Sequence, residues 1–401
     1  MRSGARVFDV IVVGAGPVGS NVAALVAKEG YRVALVDRFE EDARPARCGA
    51  LVTPRVLDLV DAKMTVTNHI RGAVVCSPGG KEVIVDGKET KAVVLDREAF
   101  ELHLIKKARD SGVECIFGAT ARAARRTATR KVEVSIHGAN DSGYLSCRIL
   151  VGAEGTAGMV PGWFSMSRPR KMLQGCEQTM TGVDCDERFV RLYLGRDFAP
   201  GFFGWIIPGG GTARVGLCVE HGNARLNLRK MIARPSVSRL LSRAEPVQYS
   251  AGRIPIGFPQ RTCAQNVMIV GDAACQVKAT SGGGIFTGLL SGTICAETAV
   301  KALEADDFSS KMMRNYHRGW MRRIGKELRR DLAIHESFAR LTDRQMEDLF
   351  RLLDKPHIIE LIQQFGDIDF PSRVGWRLVR EEPRLLKYTG NALRVLLRRG
   401  G

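Results

Sequence analysis

Nowhere in its 401 residues does the chain have an apolar run of the ~18 to 20 residues that a membrane-spanning helix requires. A strand-like run begins by Asp9, which leaves no room for a signal peptide, so the expected location is the cytoplasm. Ten cysteines are present, yet none forms a Cys-x-x-Cys pair or a metal-ligand spacing. That absence argues against a disulfide framework, a zinc site or an iron–sulfur cluster. Cys115, Cys218 and Cys295 lie among apolar neighbours and read as small buried hydrophobes. Aromatic residues make up only 6% and do not interleave with cations, so the net charge of +17 comes without a nucleic-acid platform. The seven histidines are scattered, with no Ser/His/Asp arrangement. His103, His317 and His335 fall in helix-patterned stretches and read as packing or surface residues. Acidic residues are in deficit, and the basic excess concentrates late, with Arg314, Arg318 and Arg322 four apart on one helical face. Such a face is a solvated helix surface that also suits anionic headgroups or an acidic partner protein.

What is present begins at Asp9. Residues 10–13 are an apolar run suited to a strand buried on both faces. Gly14-Ala15-Gly16-Pro17-Val18-Gly19 comes next, then a helical pattern over 17–29, Gly30, a second strand over 32–36 and Asp37. In that setting Gly14 makes a tight turn, Gly16 admits a pyrophosphate to the backbone, and Gly19 lets helix and strand pack closely. The helix start offers N–H groups and its dipole to phosphate, and Asp37 is placed to accept from a ribose diol. The spacing predicts a dinucleotide-binding βαβ unit.

Further on, 56–60 and 98–111 read as helices, 72–95 as a β meander, and 113–117 and 132–136 as strands. Residues 170–255 carry strand signals with few long helices, and the pattern is mostly helical from about Asp307. A buried strand over 267–270 stops at Gly271-Asp272-Ala273-Ala274, and Gly282-Gly283-Gly284-Ile285 opens a small-residue helix. An aspartate at a strand end suits a sugar-like hydroxyl chain. Bare N–H groups at a glycine-rich helix start suit an electron-rich carbonyl. A flavin dinucleotide has both; the plainer alternative is that Asp272 caps a helix. The expected fold class is mixed α/β (α+β). A Rossmann-like FAD-binding domain covers 1–165 and 256–305, with the meander at 72–95 inside it. An inserted antiparallel, β-rich substrate domain covers 166–255, and a helical C-terminal region covers 306–401.

With these three signals in one chain, the sequence resembles flavoproteins of the p-hydroxybenzoate hydroxylase fold. Within them it is most similar to geranylgeranyl reductases, including archaeal digeranylgeranylglycerophospholipid reductases, over roughly residues 7–340. Arg47-Cys48-Gly49 resembles the family's R-C-G loop beside the isoalloxazine, and residues 95–100 resemble its L-x-R-x-x-F, whose arginine is Arg97 here. The segment 192–195 with 202–208 resembles its lipid-pocket motif, which implies Tyr193, Phe203, Trp205 and Pro208 as pocket residues. Phe203 and Ile207 stand where Tyr and Phe are usual, Ala279 where proline often precedes the glycines, and Ala50 where glycine or glutamate is commoner. The resemblance implies FAD as cofactor, held by Gly14, Ala15, Gly16, Gly19, Asp37, Arg47, Cys48, Gly49, Arg97, Ala121, Asp272, Gly283, Gly284 and Ile285. It implies reduction of C=C bonds in geranylgeranyl lipids, hydride leaving flavin N5 for one carbon while the other takes a proton. Cys48 is the candidate donor of that proton, or else a loop thiol packed on the cofactor. The implied partners are the lipid, an electron donor (ferredoxin, a deazaflavin or NADPH) and a peripheral membrane contact, with neither metal nor nucleic acid. No second fingerprint for NAD(P)H occurs. The competing readings are a flavin monooxygenase or quinone-linked dehydrogenase of the same fold, and a non-catalytic flavin- or prenyl-lipid-binding protein.

Overall fold

The first strand, Arg6–Val13, sends Val10 and Val12 into one apolar core and Ile11 and Val13 into another. That is the alternation of a strand covered on both faces. This is a computed structural model, which describes residues 6–390 apart from 42, 44, 46–48, 139, 140 and 170. The first strand pairs in parallel with Gly143–Gly152 on one side and Val33–Val36 on the other. Val267–Ile269 and Glu114–Ile116 continue the parallel order outward. Helices Pro17–Lys28, Arg97–Asp110 and Ile285–Glu304 pack into the core of one face. Pro17 opens the first of these, where a missing N–H is harmless, and Gly30, at φ +85°, lies just past its end. Asp96 caps the second by accepting from the Glu98 and Ala99 N–H groups at 3.0 Å each.

The second sheet has seven strands, in the order Glu245–Ile256, Lys171–Thr181, Thr212–Val219, Gly204–Pro208, Phe189–Tyr193, Gly72–Cys76, Glu82–Asp86. All pairs are antiparallel except Phe189–Tyr193 with Gly72–Cys76. This divides the 72–95 meander that the sequence reading kept within the nucleotide-binding part. Its first two strands join the second sheet, because Val74 and Cys76 need the core formed there with Ile206 and Val215. Only Ala92–Leu95 stays apart, between Leu51–Val52 and Val66–Ile70 in a three-stranded sheet.

The C-terminal part is helical as expected. Ser310–Trp320 runs through a π turn, Met321–Gly325, into Lys326–Phe338, and Asp343–Leu353, Pro356–Phe365 and Ser372–Glu381 come after it. Arg314, Arg318 and Arg322 are exposed along the first of these stretches. No helix among the described residues is long and apolar enough to cross a membrane.

Candidate active site

A cavity of about 820 Å³ lies where the two sheets meet, under the C-terminal helices. Its polar end is built by the first βαβ unit. Gly14 sits at φ +103°, and a Cβ there would come within 2.3 Å of the Ala153 carbonyl oxygen. A Cβ on Gly19 would lie 1.9 Å from the Gly14 carbonyl oxygen, so Gly19 serves helix packing and does not line the cavity. Gly16 is different: a Cβ there would meet nothing within 4 Å, because the residue faces open cavity. It is also the N-cap of helix Pro17–Lys28, and no side chain caps that helix. Its first N–H groups therefore remain for an anion. Ala15 points away from the cavity but donates its N–H to Asp37 Oδ2 at 2.6 Å, while Phe39 N–H donates to Oδ1 at 2.9 Å. The Asp37 carboxylate is thereby fixed on the cavity wall, near Ala121. Glu154, on the same wall, accepts from Val160 N–H through Oε1, and its buried Oε2 has no partner among the described residues. An open cradle beside an unmatched polar oxygen fits a dinucleotide.

At the next section of the cavity, Asp272 sits in the turn Gly271–Ala274 and caps no helix, so the plainer reading of it fails. A Cβ on Gly284 would lie 2.7 Å from Asp272 Oδ1, which leaves only glycine room there. Gly283, Gly284 and Ile285 line the cavity at the start of Ile285–Glu304. Burial pushes the Asp272 carboxyl pKa up, and the Arg97 guanidinium pulls it back. Arg97 lines the same section and is held by Glu101, to which its Nε donates at 2.8 Å. Gly49 also lines it, and Arg214 straps the loop down by donating to the Gly49 and Leu95 carbonyls at 2.8 and 2.9 Å. Arg47 and Cys48 lie outside the described residues.

The far section is apolar. Phe202 and Phe203 stack at 4.3 Å, Phe203 meets Trp205 edge-on at 6.2 Å, and all three line the cavity. Two expected pocket residues do not. Side chains alternate along a strand, and here Val190, Leu192, Trp205 and Ile207 face the cavity. Tyr193 therefore points the other way, into the core with Phe198 and Val215. Arg191 Nε donates to its hydroxyl at 3.1 Å, and burial pushes its pKa up to about 12. Pro208 is on the same wrong parity and is likewise off the cavity.

Further residues that the sequence did not flag also shape this site. Glu177, 7% exposed, reaches the cavity from Lys171–Thr181 and accepts from Trp205 Nε1 at 2.8 Å. Lys278, before the glycine turn, donates to Asp369 Oδ1 at 2.7 Å and to the Ile368 carbonyl at 3.1 Å, with both charged side chains buried. Thr53 and Arg55 also bond Asp369, and Arg55 grips Asp367 at 2.8 and 2.9 Å. These contacts hold the turn between Pro356–Phe365 and Ser372–Glu381 as a roof, with Ile362, Ile368 and Val374 facing inward.

His335, 2% exposed, packs near Phe202 at 5.9 Å, and burial pushes its pKa down to about 4. The folded protein keeps it neutral, whereas the unfolded chain protonates it as pH falls through about 6.5. Stability is therefore lost on acidification, by about 2 kcal/mol at pH ~5 from this residue. Asp331 acts oppositely: its pKa is raised to about 6, so it favours the folded state at low pH. Comparing the wild type with His335→Gln at about pH 7.5 and about pH 5 by denaturant unfolding isolates the histidine. Equal pH slopes for the two proteins would contradict a buried neutral imidazole.

The chain is similar to known proteins over nearly its whole length. A family model described as an FAD binding domain matches residues 7–191. Digeranylgeranylglycerophospholipid reductase 2 of Methanopyrus kandleri is 30% identical over 405 residues, covering 96% of this chain and 100% of the relative. Digeranylgeranylglycerophospholipid reductase of Methanocaldococcus jannaschii is 28% identical over 396 residues, covering 97% and 99%. Among solved structures, a geranylgeranyl bacteriochlorophyll reductase-like protein from Thermoplasma acidophilum shares the fold, with a TM-score of 0.84 at 23% identity. That match covers 97% of this chain and 100% of the other.

Proposed function

The chain belongs to the geranylgeranyl reductase family of FAD-dependent flavoproteins, and on that premise we propose that it hydrogenates C=C bonds in the geranylgeranyl chains of digeranylgeranylglycerophospholipid. The observation that carries this reading is a single cavity with two chemistries. One end is glycine-lined and polar at Gly16 and Asp37, and the other is apolar and aromatic at Phe203 and Trp205. Bound FAD, once reduced, supplies hydride. In this reading the Gly14–Gly16 turn and the uncapped helix start hold the pyrophosphate, and Asp37 accepts from a ribose. Asp272 would take the ribityl hydroxyls, and the N–H groups at Gly283 to Ile285 would help to hold the ring. The apolar end excludes water and aligns an isoprenoid chain, and the site needs no oxyanion hole because an isolated alkene has no carbonyl to polarise.

Reducing equivalents come from ferredoxin, a deazaflavin or NADPH. The exposed Arg314, Arg318 and Arg322, none of which pairs with a described carboxylate, support an acidic protein donor. For membrane contact, helix Ser372–Glu381 carries exposed Trp376 beside exposed Arg373 and Arg377, next to the cavity-lining Ile368. Each such cation near an anionic surface adds about 1 kcal/mol.

The test is anaerobic incubation of dithionite-reduced protein with the lipid, followed by mass spectrometry. Gains of whole H2 units with reoxidation of the flavin are expected; a reduced flavin that leaves the lipid untouched would move the reading to the monooxygenase or dehydrogenase. Trp205→Ala should keep its flavin but lose roughly 10- to 200-fold in lipid kcat/KM, the range for an altered apolar pocket contact. An unchanged kcat/KM would demote this wall to plain core.

A further inference from the structure

We propose that Glu177 is the acid that protonates the substrate double bond, a role that rests on the reductase reading above. Reducing an isolated alkene needs a proton as well as a hydride, and the proton has to arrive inside an apolar pocket. Glu177 is a carboxyl group on that pocket's wall, between the polar and aromatic sections. It stands opposite Gly216 on one neighbouring strand and Ser250 on the other, so neither flank brings it a charge. A Cβ on Gly49 would lie 3.5 Å from Glu177 Oε2, which sets the carboxyl against the loop at the flavin section of the cavity.

Among the described residues the polar surroundings are sparse. From Gly204–Pro208, Trp205 Nε1 donates to Oε2 at 2.8 Å. From Thr212–Val219 comes the cation Arg214, which directs its donors to the Gly49 and Leu95 carbonyls and forms no ion pair with Glu177. From Glu245–Ile256, Arg253 lines the cavity but is exposed. A carboxylate here would be a buried charge without an ion-pair partner among the described residues, which is costly. Burial accordingly pushes the carboxyl pKa up, while Trp205 and Arg214 pull it only partly back. The group is poised to carry a proton. Burial pushes described thiols up as well, Cys176 to about 11.

The step balances simply. Glu177 gives its proton to one alkene carbon as the π bond breaks, and the other carbon takes hydride from reduced FAD. The alkene is reduced, the flavin oxidised, and the carboxylate left behind regains a proton from solvent. Because Trp205 donates to the acceptor oxygen, the other oxygen is the one free to carry the proton.

The test uses full-length wild type and Glu177→Gln, which keeps the shape and the acceptor for Trp205. Infrared spectroscopy of the protein at neutral pH should show a protonated-carboxyl C=O band that Glu177→Gln lacks, a readout independent of turnover. Glu177→Gln should bind FAD and be reduced by dithionite normally, yet saturate the lipid roughly 10²- to 10⁴-fold more slowly, the usual size of a general-acid contribution. A wild-type carboxyl that is ionised at neutral pH, or a variant within a few fold of wild type, overturns the proposal while leaving the reductase reading intact. A wild type that binds and reduces its flavin but never saturates the lipid overturns both.

Discussion

Gly16→Val should leave the protein folded and strip it of FAD. The residue has φ −68° and ψ 177°, an extended conformation that valine adopts readily. No protein atom lies within 4 Å of where its Cβ would be, so the protein itself has no objection. What the added isopropyl group fills is the open cradle at the uncapped start of helix Pro17–Lys28. A pyrophosphate displaced from those N–H groups should lose at least roughly 100-fold in affinity, about 3 kcal/mol. Gly19→Val is the contrast, because its Cβ would lie 1.9 Å from the Gly14 carbonyl oxygen and the helix must move. The pair separates cofactor loss from unfolding: Gly16→Val should keep the apoprotein's melting temperature with no flavin absorbance, whereas Gly19→Val should lower both. Full FAD occupancy in Gly16→Val would refute the assignment of this end of the cavity.

The second large effect lies in the roof. Asp369→Ala leaves the Lys278 ammonium buried, with only the Ile368 carbonyl as an acceptor among the described residues. Removing one partner of a buried pair typically costs about 3–5 kcal/mol, because the remaining charge stays desolvated. The roof should therefore open locally, which hydrogen exchange over residues 356–381 would report as lost protection. Replacing both charges, Lys278→Met with Asp369→Leu, should recover most of that loss, since apolar pairs of similar volume substitute well for buried ion pairs. A double variant as unstable as Asp369→Ala would assign the effect to Thr53 and Arg55, the other partners of Asp369.

The glycine signals were legible because each is a local conformational demand. Gly14, Gly16 and the Gly282–Gly284 turn each sit at a strand end or a helix start, and none needs a distant partner to be recognised. The pocket motif was legible only in part. Phe203, Trp205 and Ile207 share one strand parity and face the cavity, while Pro208 belongs to the other, an alternation that a matched motif does not encode. Tyr193 failed for the same reason. The ion pair of Lys278 with Asp369 joins residues 91 apart, and the contact of Glu177 with Trp205 spans 28. Sequence separation of that kind leaves no periodic trace; the only available hints were a lysine flanked by Val277 and Ala279 and a glutamate in a strand-like run. The meander went astray likewise, since Gly72–Cys76 finds its parallel partner more than 100 residues later.

The order of strands in the nucleotide-binding sheet has a consequence for synthesis. Strand Gly143–Gly152 has Arg6–Val13 on one edge; on the other it pairs with the preceding Val132–Gly138 over residues 143–147, while residues 150–152 wait for Val267–Ile269 until the entire second sheet has been translated. Asp272 and the glycine turn arrive later still. A ribosome-bound chain therefore displays a short apolar strand edge at residues 150–152, the kind that invites wrong pairing, before the Asp272 turn has been made. Val267–Ile269 seals that edge in the finished molecule; the nascent one carries it open.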